Sequence, residues 1–391
     1  MKILLFSDQH NFGGAEIYLA HLAESLQQFG NYDVLIVCSD KNQRLIEMCR
    51  QRKLDHRPLR IRNRADYKLS MLISFADIVQ VRRLVKLLKA ESPSIVLINQ
   101  PTCEEAHNAV LATRICKIKR AVIRHISRPV SELGHSIKFP RIRQAWVNMI
   151  DNMLNGLIFV SGANLKTYEA QKRKSINLFV VHFGMNDNMQ DLQHRTLQDG
   201  IKTVACIGRL DNDQKRQADL LQAISLLKGR LRADYKFVGD GKDMDDLKNT
   251  AASLDIEESV QFTGWISDAI KKKELYNSLS LIVMPSAYEG LPLVMIEAFS
   301  FGIPVVATRI DGFTDFIDGT NGALVNVGDT TALANAIADS LADRQHYVSL
   351  SANAHRTFMS HFNSQKMFGS INDALEILLK DQKVNKAEQV I

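Results

Sequence analysis

Cysteine is scarce in this chain of 391 residues, five in all, and no two stand in C-x-x-C spacing. Cys38, Cys49, Cys103, Cys116 and Cys206 have no histidine cluster beside them, which argues against a zinc-ligand pattern and against a disulfide framework. Reduced thiols of a cytoplasmic protein are the expectation. A run of eighteen or more apolar residues is also missing, so no membrane span is expected. The opening MKILLFSDQHNFGG turns polar too soon for a signal peptide and reads as a first strand. Short repeats and low-complexity tracts are absent. So is G-x-G-x-x-G: Gly13 and Gly14 are followed by Ile17 where the third glycine is required, which disfavours a nicotinamide dinucleotide. No recognised nucleic-acid module occurs, and no nucleic-acid partner is expected.

What is present is an ordinary globular balance, 46% hydrophobic and 24% charged. The length suggests two or three domains. The net charge of +6 is unevenly spread. Residues 1–190 hold 28 Lys and Arg against 16 Asp and Glu, a net of +12, while the remainder holds 21 against 27, a net of −6. Two halves of opposite sign suggest two domains with different partners. The basic stretches are RQRKLDHRPLRIRNRADYK (50–68), TRICKIKRAVIRH (113–125) and KFPRIRQAW (138–146), the last with aromatic residues interleaved. Each is a solvated basic face or a surface for an anionic partner: a membrane, a lipid phosphate or nucleic acid.

Apolar runs and amphipathic stretches alternate. KILLFSD (2–8), DVLIVCSD (33–40), SIVLINQ (94–100), RAVIRHI (120–126), GLIFVS (156–161) and LFVVHFG (178–184) read as strands. AEIYLAHLAESLQQFG (15–30) and VQVRRLVKLLKAE (79–91) read as helices. Residues 185–200 are polar and read as a linker. The alternation then restarts with KTVACIGRL (202–210), QADLLQAISLLKGRL (217–231), YKFVGDG (235–241), DMDDLKNTAASLD (243–255), SVQFTGW (259–265), KKKELYNSLS (271–280) and LIVMPS (281–286). IPVVATR (303–309) and GALVNV (322–327) are further strands, and TTALANAIADSLADR (330–344) is helical. Continuous apolar strands between helices argue for parallel sheets covered on both faces. The reading is therefore α/β, with two doubly wound parallel-sheet domains in series, residues 1–190 and 201–363. Ligands of such sheets bind at the carboxyl ends of the strands, and with two facing units the interdomain cleft is the expected site. SQKMFGSINDALEILLK (364–380) carries Met367, Phe368, Ile371, Leu375, Leu378 and Leu379 on one helical stripe, and residues 381–391 read as a frayed tail.

Two glutamates stand eight apart in SAYEGLPLVMIEAFSFGIPVVAT (286–308), one of them inside an apolar run. A buried carboxylate must find donors. Glu289 falls in the loop after a strand, and Pro292 suits the first turn of a helix over LVMIEAFSF. Backbone N–H groups of Gly290, Leu291 and Leu293 then point outward, a place for phosphate. Glu297 lies about one and a half turns inside that helix, where a carboxylate can accept from both hydroxyls of a ribose diol. Arg209 and Lys215, six apart after a strand, suit a diphosphate. Asp211-Asn212-Asp213 matches D-x-D but reads as a turn or helix cap, and no metal is expected. Gly13 and Gly14 mark close backbone approach to a ligand. His125 ends its strand where it can face the cleft, and FVGDGKD (237–243) reads as a tight loop shaping the cleft wall.

Together, FGGAE, FVSGANL (159–165), FVVHFGMN (179–186), IGRL with Lys215, FVGDGKDMDDL, VQFTGWI and EGLPLVMIE resemble the family-4 retaining glycosyltransferases of the GT-B fold, over most of the chain. The resemblance implies two facing Rossmann-like domains, with residues 1–190 on the acceptor side and residues 201–363 binding the nucleotide sugar. The helix 364–380 would cross back onto the first domain. It implies that Glu289 contacts the donor hexose, beside Gly290, Leu291, Pro292 and Leu293. Glu297 would bind the ribose, and Arg209 and Lys215 the diphosphate, with Gly14 near it from the other domain. His125 would lie near the donor sugar, and Ile266 would meet the nucleobase through its backbone. Two departures stand out: Arg216 follows Lys215 where glycine is common, and Met185-Asn186-Asp187 follows Gly184 where many members have Gly-Val-Asp. Neither removes a side chain that would bear ligand. The implied reaction moves a hexose from a UDP- or GDP-sugar to a hydroxyl of a glycan or lipid-linked acceptor, with no other cofactor. It would belong to surface polysaccharide or lipopolysaccharide assembly, in the cytoplasm or peripherally on the inner face of the plasma membrane. The alternatives are a GT-B nucleotide-sugar epimerase, acting without an acceptor, and a non-enzymatic membrane- or nucleic-acid-binding protein.

Overall fold

A computed structural model of the chain describes residues 1–61, 77–127, 129–132, 139–171, 176–189, 197, 201–266 and 268–380. The chain forms two compact units. The first joins residues 1–185 to the segment that begins at Ser364, and the second spans residues 186–363. Most of the polar stretch read as a linker, and the tail read as frayed, lie outside the described residues.

In the first unit, seven parallel strands lie in the order β3-β2-β1-β4-β5-β6-β7. They are β1 (Lys2–Ser7), β2 (Asp33–Ser39), β3 (His56–Leu59), β4 (Ile95–Gln100), β5 (Lys119–Arg124), β6 (Gly156–Phe159) and β7 (Asn177–Val180). The order reverses at β1, where the crossovers change direction. Central strands such as IVLINQ are buried on both faces, which is why they read as unbroken apolar runs. Among the described residues, the α-helices before the crossing to the second unit are α1 (Gly14–Gly30), α2 (Gln43–Gln51), α3 (Ile78–Glu91), α4 (His107–Ile115), α5 (Pro140–Asp151) and α6 (Gly162–Glu169). Edge strand β3, HRPL, lies inside the first basic stretch. The second basic stretch is partly internal. Arg124 is 1% exposed and donates to both oxygens of Asp151 at 2.7 and 3.0 Å. Arg120 donates to the carbonyls of Met153 and Ile118 at 2.6 and 2.8 Å. Part of the positive count therefore faces inward and is spent on structure.

The second unit has six parallel strands in the order β10-β9-β8-β11-β12-β13. They are β8 (Lys202–Ile207), β9 (Ala233–Val238), β10 (Val260–Gly264), β11 (Leu281–Met284), β12 (Val305–Thr308) and β13 (Gly322–Val325). Its helices are α7 (Asn212–Lys215), α8 (Gln217–Leu227), α9 (Met244–Ser253), α10 (Ala269–Ser278), α11 (Leu293–Ser300), α12 (Thr330–Ala342) and α13 (Arg344–His361). The 217–231 pattern ends early, at Leu227, because Gly229 takes a φ of +71°. The last described helix, α14 (Ser364–Lys380), belongs to the first unit. It buries Met367, Ile371, Ala374, Leu375 and Leu378. The Tyr32 hydroxyl donates to its Asn372 at 2.7 Å, and Phe29 meets its Phe368 with ring centroids 5.7 Å apart. Among the described residues, no helix is long and apolar enough to cross a membrane.

Candidate functional site

The loops at the carboxyl ends of β8 and β11 carry the sequence-predicted residues Arg209, Lys215 and Glu289, and the loop after β9 packs beside them. The loops after β8 and β9 touch because two glycines let them. Gly208 and Gly239 have φ of +150° and +146°, and a Cβ on Gly239 would lie 1.9 Å from the Gly208 carbonyl oxygen. The FVGDGKD loop thus packs directly on the loop after β8, with Leu210 N–H donating to the Asp240 carbonyl at 2.9 Å. Asp211 occupies the N-cap position of α7, and Asp213 pairs with Lys242. Asp211-Asn212-Asp213 is therefore a helix start braced by ion pairs, in line with the turn-or-cap reading.

Lys215 closes α7 and points back to the loop after β11. Its Nζ lies 2.5 Å from Glu289 Oε1, which also accepts from the Ser286 hydroxyl at 2.8 Å. These two groups are the donors that the Glu289 carboxylate demands. Gln214 stitches the loops together: its carbonyl accepts from Ala287 N–H at 2.8 Å, and its side chain accepts from Arg209 at 2.8 Å. Arg209 itself is 64% exposed, and its guanidinium stands over this surface beside Gln214 and Asp211. Pro292 sits at the N-cap of α11, one place before the expected first turn, and no side chain caps that helix. Gly312, at φ +91°, lets its turn approach Gly290, because a Cβ there would lie 2.7 Å from the Gly290 carbonyl oxygen. Gly290, Leu291 and Leu293 thus line the uncapped start of α11, a place with partial positive charge.

Glu297, inside α11, has its own pair of donors. Lys272 Nζ lies 2.5 Å from Oε1, and the buried Tyr276 hydroxyl donates to Oε2. The two carboxylates are therefore held separately, Glu289 from α7 and Glu297 from α10. Ile266, half-buried, follows the φ +71° turn at Gly264 and precedes α10.

In the first unit, Gly14 opens α1, and the preceding Gly13 N–H donates to Glu16 Oε2 at 3.1 Å. His125 lies one residue beyond the end of β5 and not within it. Its Nε2 is 2.8 Å from Asn99 Oδ1, and its ring stands edge-on to Tyr18 at 5.2 Å. The Asn99 amide nitrogen reaches Glu16 Oε1 at 3.4 Å, and the Ser7 hydroxyl donates to the same oxygen at 3.2 Å. Gly13, next to Gly14, and His125 are thus joined through Glu16 and Asn99. Burial pushes the His125 imidazole down to about 3, so it is neutral at ordinary pH. Burial pushes Glu16 up to about 7, and burial with the nearby Asp8 and Glu16 charges pushes Glu105 up to about 8.

Sequence reasoning passed over three residues that hold the acids in place, Ser286, Lys272 and Tyr276, and Gln214, which ties the Glu289 loop to α7. Lys272 and Tyr276 were legible only as an i, i+4 pair in KKKELYN, where a lysine run reads as solvated surface.

Residues 201–343 match the family described as Glycosyl transferases group 1. The lipopolysaccharide core biosynthesis glycosyltransferase LpsE of Rhizobium meliloti is 32% identical over 161 residues, 41% of this chain and 44% of that protein. An undecaprenol-linked alpha-1,4-N-acetyl-D-galactosaminyltransferase of Campylobacter jejuni is 26% identical over 291 residues, 73% of this chain and 69% of that protein. The chain spans less than half the length of the first curated relatives it matches. Among solved structures, Anabaena Alr3699/HepE in complex with UDP superposes with a TM-score of 0.78 at 20% identity, covering 96% of this chain and 100% of that one. The two parallel-sheet units in series are those of the GT-B fold.

Proposed function

We propose that this chain, with its glycosyl transferases group 1 region at residues 201–343, is a retaining glycosyltransferase. It moves a hexose from a UDP- or GDP-sugar to a hydroxyl of a glycan or lipid-linked acceptor. The observation that carries this reading is the pair Glu289 and Glu297 about the uncapped start of α11, with Lys215 and Arg209 beside it. Diphosphate, sugar and ribose each meet a suitable group there. Relatives named for lipopolysaccharide core and undecaprenol-linked acceptors support a lipid-linked or glycan acceptor, and the UDP-bound neighbour supports a nucleotide donor.

The chemistry follows from the charges. The bond from the anomeric carbon to the diphosphate oxygen breaks and leaves negative charge on that oxygen. Arg209, Lys215 and the start of α11 stabilise the developing charge. The sugar passes through an oxocarbenium-like state. A new bond forms from the anomeric carbon to the acceptor oxygen on the same face, and the acceptor proton passes to the departing diphosphate. Lys215 must turn from Glu289 to the diphosphate, which leaves Glu289, still held by Ser286, to accept from the hexose hydroxyls. Gly14 and His125 of the first unit lie near the diphosphate and the sugar in this reading. A neutral imidazole suits a hydroxyl partner better than an anionic one.

In the same reading the second unit binds the donor and the first receives the acceptor, as a cytoplasmic protein peripheral to an anionic membrane. Phe139 and Ile142, 64% and 62% exposed at the start of α5 next to Arg141, support that surface. A thermal-shift series with UDP, GDP and ADP sugars tests the function. The true donor at about a hundredfold over its Kd adds about 2.7 kcal/mol of stability, and Lys215→Ala removes the shift. If no nucleotide sugar shifts the melting temperature, the proposal fails. Equal binding to liposomes with and without anionic lipid would remove the membrane part alone.

A further inference from the structure

Glu297 is gripped on both oxygens by one helix face. Lys272 and Tyr276 stand four residues apart on α10 and so project on the same side. Lys272 Nζ meets Oε1 at 2.5 Å, and the Tyr276 hydroxyl donates to Oε2. The Tyr276 ring is 1% exposed and stacks on Phe301, with centroids 5.1 Å apart and planes at 19°. The Lys272 ammonium lies 5.9 Å from the centroid of the same ring. A buried aromatic locked in this way has one orientation, so its hydroxyl fixes the carboxylate plane. Each carboxylate oxygen keeps a second lone-pair direction for a ligand hydroxyl. The same helix begins at Ala269, three residues after Ile266, which the proposed function puts beside the base.

We propose that Tyr276 and Lys272 are positioning residues that make this chain discriminate ribose from deoxyribose nucleotides. They hold the Glu297 carboxylate so that it accepts the 2′ and 3′ hydroxyls together. The inference rests on the ribose-binding role of Glu297 and goes beyond it. A carboxylate free to rotate satisfies one hydroxyl as well as two. A fixed one rewards the full diol and leaves its oxygens poorly satisfied when a hydroxyl is missing.

The test is a ligand-side cycle by calorimetry with UDP, 2′-deoxy-UDP and 2′,3′-dideoxy-UDP, repeated with the guanosine set. Wild-type chain is expected to prefer the ribonucleotide by about a hundredfold over the dideoxy form. Tyr276→Phe is expected to lose about tenfold on the ribonucleotide and less than about twofold on the dideoxy form. Lys272→Met, which keeps the apolar stem, gives the second arm should Tyr276→Phe melt early. In turnover, KM for the sugar donor rises while kcat holds, as for lost uniform binding. Equal losses on ribose and dideoxy ligands would make the pair merely structural and overturn the inference alone. Failure of the wild-type chain to bind either ribonucleotide would overturn the proposed function, and the inference with it.

Discussion

The two units share a topology and handle their acids in opposite ways. At the carboxyl ends of the second unit's strands, Glu289 and Glu297 each meet a lysine, at 2.5 Å in both cases. At the equivalent edge of the first unit, the donors that Glu16 meets among the described residues are the neutral groups of Ser7, Gly13 and Asn99. Burial lifts Glu16 to about 7 and, with neighbouring acids, Glu105 to about 8. The acids of the second unit are neutralised by partners, and those of the first by protons. The larger positive count of the first half is no guide to that edge, because Arg120 and Arg124 turn inward to Met153 and Asp151. Net charge per half says little about the charge that a ligand meets.

Breaking the internal pair of the first unit has the largest expected effect. Asp151→Ala takes the counter-charge from the Arg124 guanidinium, which is 1% exposed and keeps the neutral Gln100 acceptor, and removes an acceptor of the Tyr168 hydroxyl. The expected loss is about 3–5 kcal/mol, read as a fall in the urea midpoint. An unchanged midpoint would show that the pair is not structural. In the second unit, Lys215→Ala is expected to cost about 1 kcal/mol of stability while lowering kcat/KM about 10²–10³-fold. A stability loss as large as that of Asp151→Ala would erase the contrast between the two ion pairs.

The third experiment turns on protons. Glu16 and Glu105 have folded values above the ordinary carboxylate range, so the folded chain binds more protons than the unfolded chain between about pH 4.5 and 8. Their contribution is full below the unfolded value and is lost as pH rises through 7 and 8. His125 and His107, pushed down to about 3 and about 4 by burial, give the reverse slope, but only below about pH 6.5. Between pH 6.5 and 9 the buried carboxyls set the slope, Asp8 beside the glutamates being raised by burial as well, and stability is expected to fall by on the order of 1 kcal/mol for each glutamate. Glu16→Gln with Glu105→Gln should lessen that slope, and the remainder belongs to Asp8. Hydrogen exchange in β1 and β4, followed against β8 and β11, localises it. Equal pH responses in both sheets would show that the acids of the first unit are not its source.

Much of the fold was legible because parallel strands buried on both faces cannot hide their apolar runs. The elements missed had weaker signals for physical reasons. β3, HRPL, is an edge strand whose residues are half-buried or exposed, so it carries no apolar run. α13 buries Tyr347, Leu350, Ser351, Ala354 and Phe358, a stripe too rich in small and polar residues to show helical periodicity. At the site, Glu289, Lys215 and the start of α11 could be singled out because they are close in sequence to glycine and proline punctuation. Their supports could not. Ser286 reaches Glu289 from three residues away, but Tyr276 reaches Glu297 from another helix, and only tertiary packing makes that meeting. The basic run 113–125 misled for the converse reason: sequence counts a charge wherever it points.

One connection bears on how such a chain comes to be made. The chain leaves the first unit at Met185 and returns at Ser364, whose N–H donates to the Met185 carbonyl at 3.1 Å. The second unit is therefore an insertion, complete in one continuous stretch, while the first is assembled from two pieces. During synthesis from the N-terminus, the ribosome delivers all of the second unit before it delivers α14. Until then, the α1 surface around Ser25, Phe29 and Gly30, where Met367 and Phe368 come to rest, stays open to solvent. The half that is translated first is the half that finishes folding last. A fragment cut at Met185 would carry that open face permanently, whereas a cut that removes residues 186–363 and rejoins the ends would restore it.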